Sequence, residues 1–181
     1  MSESFSFESQ PASPRLVHIG DPIIRSISRP IQSIMQAAKI CRVLTEKLWE
    51  IQGAGLAAPQ IGVPYRIFVF EVRKTELFPD REESPLYTMI NPELEILDES
   101  TVVNYEGCFS VPGYLGLVPR ARALRVKWTD PDESLREEVF EDYRARVIQH
   151  EMDHLNGVVY IDRMPDMSTF TTRENYLKAQ C

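Results

Sequence analysis

Along residues 34–51 the apolar positions Ile34, Ala38, Cys41, Leu44, Leu48 and Ile51 recur every three or four residues. That spacing stacks them on one face of a helix. It predicts an amphipathic helix that begins at Pro30 and stops at Gly53, because glycine is favoured just past a helix end. Cys41 belongs to this stripe and reads as a core residue, free cysteine being among the most buried residue types. The pattern changes at YRIFVFEV, residues 65–72, a run of aromatic and β-branched side chains that predicts a buried strand. KTELFPDREESP, 74–85, reads as an exposed acidic loop. LYTMINPELEIL, 86–97, and STVVNYEG, 100–107, predict short strands broken at Asn91-Pro92.

ARALRVKW, 121–128, alternates as a half-buried strand does. TDPDES supplies a turn, and LREEVFE, 135–141, returns as the hairpin partner. A second helix is predicted from Asp142 to Asn156, with Gly157 as its stop, and VVYIDR, 158–163, as a further strand. Upstream, GDP at 20–22 reads as a turn, and residues 1–14, rich in Ser and Pro, as a loose tail. Strands and helices do not alternate regularly, which indicates α+β with antiparallel sheet. The second helix has apolar residues on two faces, Tyr143 and Val147 on one, Ile148, Met152 and Leu155 on the other. A helix apolar nearly all round is buried on nearly all sides. The expected architecture is therefore antiparallel sheets packed around this second helix, with the amphipathic helix on the N-terminal side.

Composition narrows the class of protein without changing that picture. A chain of 181 residues, 43% hydrophobic and 26% charged, suits one globular domain over residues 15–181 after the tail. A net charge of −7 argues against general nucleic-acid binding, since phosphates are repelled. No apolar run approaches the ~18 residues that span a bilayer. The N-terminus has no hydrophobic core of a secretory signal and too few basic residues for a transit peptide. Three scattered cysteines, Cys41, Cys108 and Cys181, argue for a reducing cytosol rather than a disulfide framework, and the terminal position of Cys181 leaves no prenylation box.

The chemistry lies in VIQHEMDHLNG, 147–157. His150 and His154 sit one helical turn apart and can aim both imidazoles at one ion, while Glu151 is rotated by about 100° and can serve as a general base. The alternative is two core histidines with satisfied hydrogen bonds beside an exposed glutamate. A buried helix carrying the full HExxH pattern favours the metal. A catalytic site of this kind wants three protein ligands and one open position. His18, in a turn, reads as a surface residue. Two candidates remain for the third ligand. Glu174, on the terminal segment, would give an arrangement like that of thermolysin-type zinc proteases. Cys108, in NYEGCFSVPG, follows Gly107, which permits close backbone approach. Glu174, on a short segment after a Ser- and Thr-rich loop, reads better as a solvated residue, Cys108 taken alone reads equally as a ligand or as a buried inert cysteine, and a non-catalytic structural Cys/His metal site stands as a third reading.

GAGLAAPQ at 53–60, EGCFS at 106–110 and QHEMDHLNG at 149–157 occur in this order, and together resemble the three signature motifs of peptide deformylases. The flanking VPGYLGLVPRAR and GVVYIDRM are also similar to family sequences, so the resemblance covers Leu16 to Met164. The TFTTRENY ending looks closest to the branch that includes plant and mitochondrial enzymes. Three residues depart from the family pattern: Phe109 where Leu is usual, Ala54 where a β-branched residue is common, and Tyr143 where that branch often has Trp.

The resemblance implies that Cys108, His150 and His154 bind one divalent metal ion per chain, Fe(II) in the family, with Zn, Ni or Co as substitutes. One thiolate with two imidazoles agrees, since it suits a first-row transition metal. Glu151 is implied as the catalytic acid/base. The Gln60 side-chain amide and the Phe109 backbone N–H are implied as donors to the developing oxyanion. The implied reaction removes formate from N-formyl-methionine at the start of nascent chains. Gly55 is expected to hydrogen-bond the peptide along a sheet edge, and Ala54, Tyr143 and Val147 to line the methionine pocket. Transient contact with the ribosome, a bacterial cytosol and no membrane complete the expectation.

Overall fold

The computed structural model describes residues 13–74 and 81–180. Most of the expected tail, and residues 75–80 of the expected acidic loop, lie outside these. Among the described residues the chain is α+β, with a six-stranded antiparallel sheet and three α-helices. The strands are β1 (Gly55–Ala57), β2 (Ile67–Phe70), β3 (Tyr87–Cys108), β4 (Val111–Thr129), β5 (Leu135–Glu141) and β6 (Thr171–Thr172). The helices are α1 (Ile34–Glu50), α2 (Asp142–Leu155) and α3 (Arg173–Gln180). The sheet runs β1-β2-β3-β4-β5, with β6 paired to β4.

Period-two alternation explains why β2 is buried throughout. Ile67 and Val69 join the cluster formed with Ile40, Leu44 and Leu48 of α1. Phe68 and Phe70 join Ala145, Ile148 and Leu155 of α2, with Leu124, Val126 and Phe140 from β4 and β5. The strand lies between the two helices, and each takes one of its faces. Cys41 is in the first cluster, and burial pushes its thiol up to about 12.

Three local expectations are corrected. Helix α1 starts at Ile34, not Pro30, because Ser33 caps it: its Oγ accepts from the Gln36 N–H at 3.3 Å. Asn91-Pro92 does not break the chain into two strands. Asn91 adopts φ 49°, the register shifts between Ile90 and Glu93, and β3 continues as one strand of 22 residues. VVYIDR is not a strand: Tyr160–Arg163 form a 3-10 turn, closed by the Val159 N–H donating to Asp162 Oδ2 at 2.9 Å.

The expected hairpin between β4 and β5 forms, with Thr129 opposite Leu135. Asp142, φ 51°, then turns the chain from β5 directly into α2, a backbone conformation that aspartate tolerates better than most residues.

Candidate metal centre and catalytic pocket

Strand β3 ends at Cys108 and doubles back, with Cys108 opposite Val111 at the start of β4. Helix α2 brings His150 and His154 up to this turn. The Cys108 sulfur and one ring nitrogen from each histidine lie within 4.8 Å of one another, and Sγ is 3.2 Å from Nε2 of His154. Ligand bonds of about 2.0–2.3 Å fit a shared ion at such spacings. The donor set also fits: a cysteine sulfur that accepts the Ser110 N–H at 3.3 Å, and two imidazoles. Burial, with His150 second, holds the His154 ring well below the ordinary imidazole value, so it is neutral and free to donate a lone pair.

His150 is oriented from behind. Its Nδ1 lies 2.9 Å from Oε2 of Glu106. A carboxylate can only accept, so Nδ1 carries a proton, and Nε2 is the ring nitrogen left for a metal ion. Glu106 also takes two hydrogen bonds from Arg120, each 3.0 Å, and one from Arg146 at 2.7 Å. Arg120 reaches on to Asp153 at 2.6 Å, which Arg163 also holds. Burial pushes the Glu106 carboxyl up, but His150 and Arg120 outweigh it and keep the group ionised far below the usual carboxylate range. Sequence reasoning missed Glu106, Arg120, Arg146 and Asp153. The available signal was Arg146 and Asp153, charged residues on a helix read as apolar nearly all round.

Glu151 is 3% exposed, and its Oε2 has no hydrogen-bond partner. Burial pushes its carboxyl up to about 7. Gly55 leaves the space it occupies: a β-carbon there would stand 2.9 Å from Cγ and Cδ of Glu151. Gln60, buried in the 3-10 turn after β1, is fixed at both ends of its amide. Oε1 accepts from the Ala57 N–H at 2.8 Å, which turns Nε2 toward Cys108 Sγ at 3.5 Å and Ser110 Oγ at 3.3 Å.

Gln60, Cys108, His150 and Glu151 share one cavity of about 240 Å³, into which Ala54, Gly55, Phe109, Tyr143 and Val147 also face, while His154 lies behind the Cys108 sulfur. The structure thus brings together every residue singled out in the three motifs. Glu174 is elsewhere, exposed on α3 and paired with Lys178 at 2.7 Å, and His18 is exposed as expected. Phe109, larger than the usual leucine, packs its ring against Gly53, where a β-carbon would meet Cε2 at 2.9 Å.

A Cys/His/His group able to hold a metal ion, next to a buried carboxylate and a fixed amide donor, defines the class: a metal-dependent hydrolase on an α+β fold. The family model for polypeptide deformylase matches residues 14–170. The chain belongs to the polypeptide deformylase family. A peptide deformylase of Leptospira biflexa is 38% identical over 166 residues, covering 89% of this chain and 93% of that one. Peptide deformylase 2 of a Nostoc species is 34% identical over 163 residues, covering 89% and 91%. Among solved structures, a class I type b peptide deformylase from Acinetobacter baumannii, bound to Met-Ala-Ser, superposes with TM-score 0.81 at 29% identity, over 84% of this chain and 98% of that one. The enzyme from Thermotoga maritima gives 0.77 at 35% identity, over 85% and 99%.

Proposed function

We propose that this chain, acting through one catalytic domain over residues 15–181, hydrolyses the formyl group from N-formyl-methionyl peptides and releases formate. Helix α2 is the central element of that domain, and α1 is the amphipathic helix that supports it from the N-terminal side. The observation that carries the reading is the convergence of Cys108, His150 and His154 beside Glu151. Cys108, His150 and His154 would hold one divalent ion, Fe(II) by family resemblance. Bound there, the ion supplies Lewis acidity that makes a water nucleophilic near neutral pH.

The remaining steps belong to side chains. Glu151 takes the proton from the attacking water and returns it to the departing amine nitrogen, so the C–N bond breaks as the formyl carbon gains its new oxygen. Gln60 Nε2, already held by its contacts, and the Phe109 N–H donate to the oxygen that becomes negative. Losing one such donor typically costs about 10²–10³ in rate. The substrate backbone lies along the free edge of β1 and bonds to Gly55. Ala54, Tyr143 and Val147 receive the methionine side chain. A relative that binds Met-Ala-Ser supports a short peptide in this cavity.

The site of action is a bacterial-type cytoplasm, with nascent chains met near the ribosome. No described helix is long and apolar enough to cross a membrane. The experiment is formate release from formyl-Met-Ala-Ser by anaerobically purified protein, with metal analysis on the same sample. Cleavage of casein with that peptide untouched would remove the assignment. Metal lost in Glu174→Ala but kept in Cys108→Ala would transfer it to a protease.

A further inference from the structure

The cavity continues into a second groove. Ala54 and Arg81 line both. The chain from Gln52 to Ala54 lines the groove, together with Glu71, Arg73 and Lys74. The direction of a bound peptide follows from the functional reading above, on which this inference rests. Gln60 and Cys108 mark the formyl end, and Gly55 faces Glu151. Strand β1 is the end strand of the sheet order. A peptide added to its edge therefore runs from Gly55 back past Ala54, Gly53 and Gln52. Each residue advances about 3.3 Å. With methionine beside Gly55, the third and fourth residues lie in the second groove.

That groove is cationic in a chain of net charge −7. Arg73 donates to the Gly53 carbonyl at 3.4 Å. The Arg81 guanidinium lies 4.3 Å from the centroid of the Tyr143 ring, at the junction of the two cavities. Glu71, the carboxylate of the lining, is already engaged: it accepts the Trp49 indole N–H at 2.7 Å and lies 3.5 Å from Arg73. Beyond the lining, Glu82 pairs with Arg144 at 3.5 Å. Of the other charged residues lining the first cavity, Arg173 is exposed, Glu106 and Arg146 are buried and paired, and Glu151 is buried. Clefts lined by one sign of charge concentrate ligands of the other.

We propose that the groove bounded by Arg73, Lys74 and Arg81 is a binding subsite for the third and fourth residues of the substrate peptide, and that it selects acidic over basic side chains there. Each exposed pair contributes modestly, so two acidic residues lower KM by about three- to tenfold relative to two basic ones at low salt. The kcat stays level, because the contact is the same in ground and transition states.

The test compares formyl-Met-Ala-Asp-Glu with formyl-Met-Ala-Lys-Lys on the metal-loaded enzyme. It includes the variant Arg73→Glu/Lys74→Glu, and measures the Kd of the two deformylated peptides by calorimetry. The expected result is a lower KM and Kd for the acidic peptide, a ratio near one at about 0.5 M salt, and a reversed order in the variant. Tighter binding of the acidic product without formate release from either substrate upholds the groove and removes the deformylase reading. Formate released from both substrates with equal KM and equal Kd overturns the groove alone. So does a preference that survives in the variant or in high salt.

Discussion

Replacing Gly55 with alanine adds a carbon where Glu151 already stands. The three heavy atoms nearest to the added β-carbon all belong to Glu151; Cγ and Cδ are each at 2.9 Å, and Oε1 is closer still. Carbon atoms in contact prefer about 3.5–4.0 Å, so something must move by about 0.6–1 Å. Neither side gives easily. Glu151 is buried within α2, and β1 is held to β2 in register, Gly55 opposite Phe70, which is fully buried. Overpacking of this kind costs about 1–3 kcal/mol. A carboxylate displaced by about 1 Å loses on the order of 10²-fold in turnover. Metal content should hold, because the clash falls on Glu151 and not on a ligand. The assay is formate release with metal analysis, plus thermal unfolding in a cycle with Glu151→Ala. Truncating Glu151 removes all three clashing atoms, so the added cost of Gly55→Ala on that background falls below about 0.5 kcal/mol. Turnover within twofold of wild type, or equal destabilisation on both backgrounds, refutes the packing argument.

Glu151→Gln keeps the side-chain volume and the metal but lowers turnover by about 10²–10⁴-fold; near-wild-type formate release from the loaded variant removes the proton-transfer role. In the metal-free protein, burial raises the Glu151 carboxyl from 4.5 to about 7. A carboxyl with a raised folded pKa takes up a proton on folding, so its contribution is complete below the unfolded value and lost as pH climbs through about 7. Metal-free wild type should therefore lose up to about 3 kcal/mol relative to metal-free Glu151→Gln across that window, and parallel denaturant curves for the two would contradict it. Glu106→Gln strips the charge that Arg120, Arg146 and His150 share. Metal affinity, read by chelator competition, falls about 10–100-fold, and stability falls by about 3–5 kcal/mol. Unchanged affinity shows that His150 is held by other contacts.

Where local periodicity and tertiary contact agree, the elements are legible in the sequence. The α1 stripe and the β4–β5 hairpin needed nothing beyond spacing and turn chemistry. The misplaced start of α1 shows where that stops. Ile31 is buried and extends the apolar pattern backward, but its backbone is claimed by Asn91, whose Oδ1 accepts the Ile31 N–H at 2.9 Å and whose Nδ2 donates to its carbonyl at 2.8 Å. The same Asn91 sits at the Asn-Pro pair that reads as a strand break. Its left-handed backbone and its side-chain clamp are one arrangement, set by a partner 60 residues away. The first half of strand β4, before Ala121, was hidden for a similar reason. Glycines and prolines punctuate VPGYLGLVPRAR, yet Pro119 pairs with Val103, and at Gly116 a β-carbon would collide with Met164.

The site divides along the same line. His150, Glu151 and His154 were readable because a helix fixes their relation locally. Glu174 could be set aside from its place in the chain, but Cys108 was raised above an inert cysteine only through resemblance, since spacing says nothing about a sulfur 46 residues from His154. The cluster around Glu106 was hard to read, because its partners arrive from other elements: Arg120 from β4, Arg146 and His150 from α2. Their arrangement explains why the ligands meet at all. Cys108 lies two residues beyond Glu106 on β3, and His150 is bonded to Glu106 across the gap to α2. One buried carboxylate thus ties the strand that carries the sulfur to the helix that carries both imidazoles. The two arginines balance its charge, so it remains ionised in a place where an unpaired carboxylate would take up a proton.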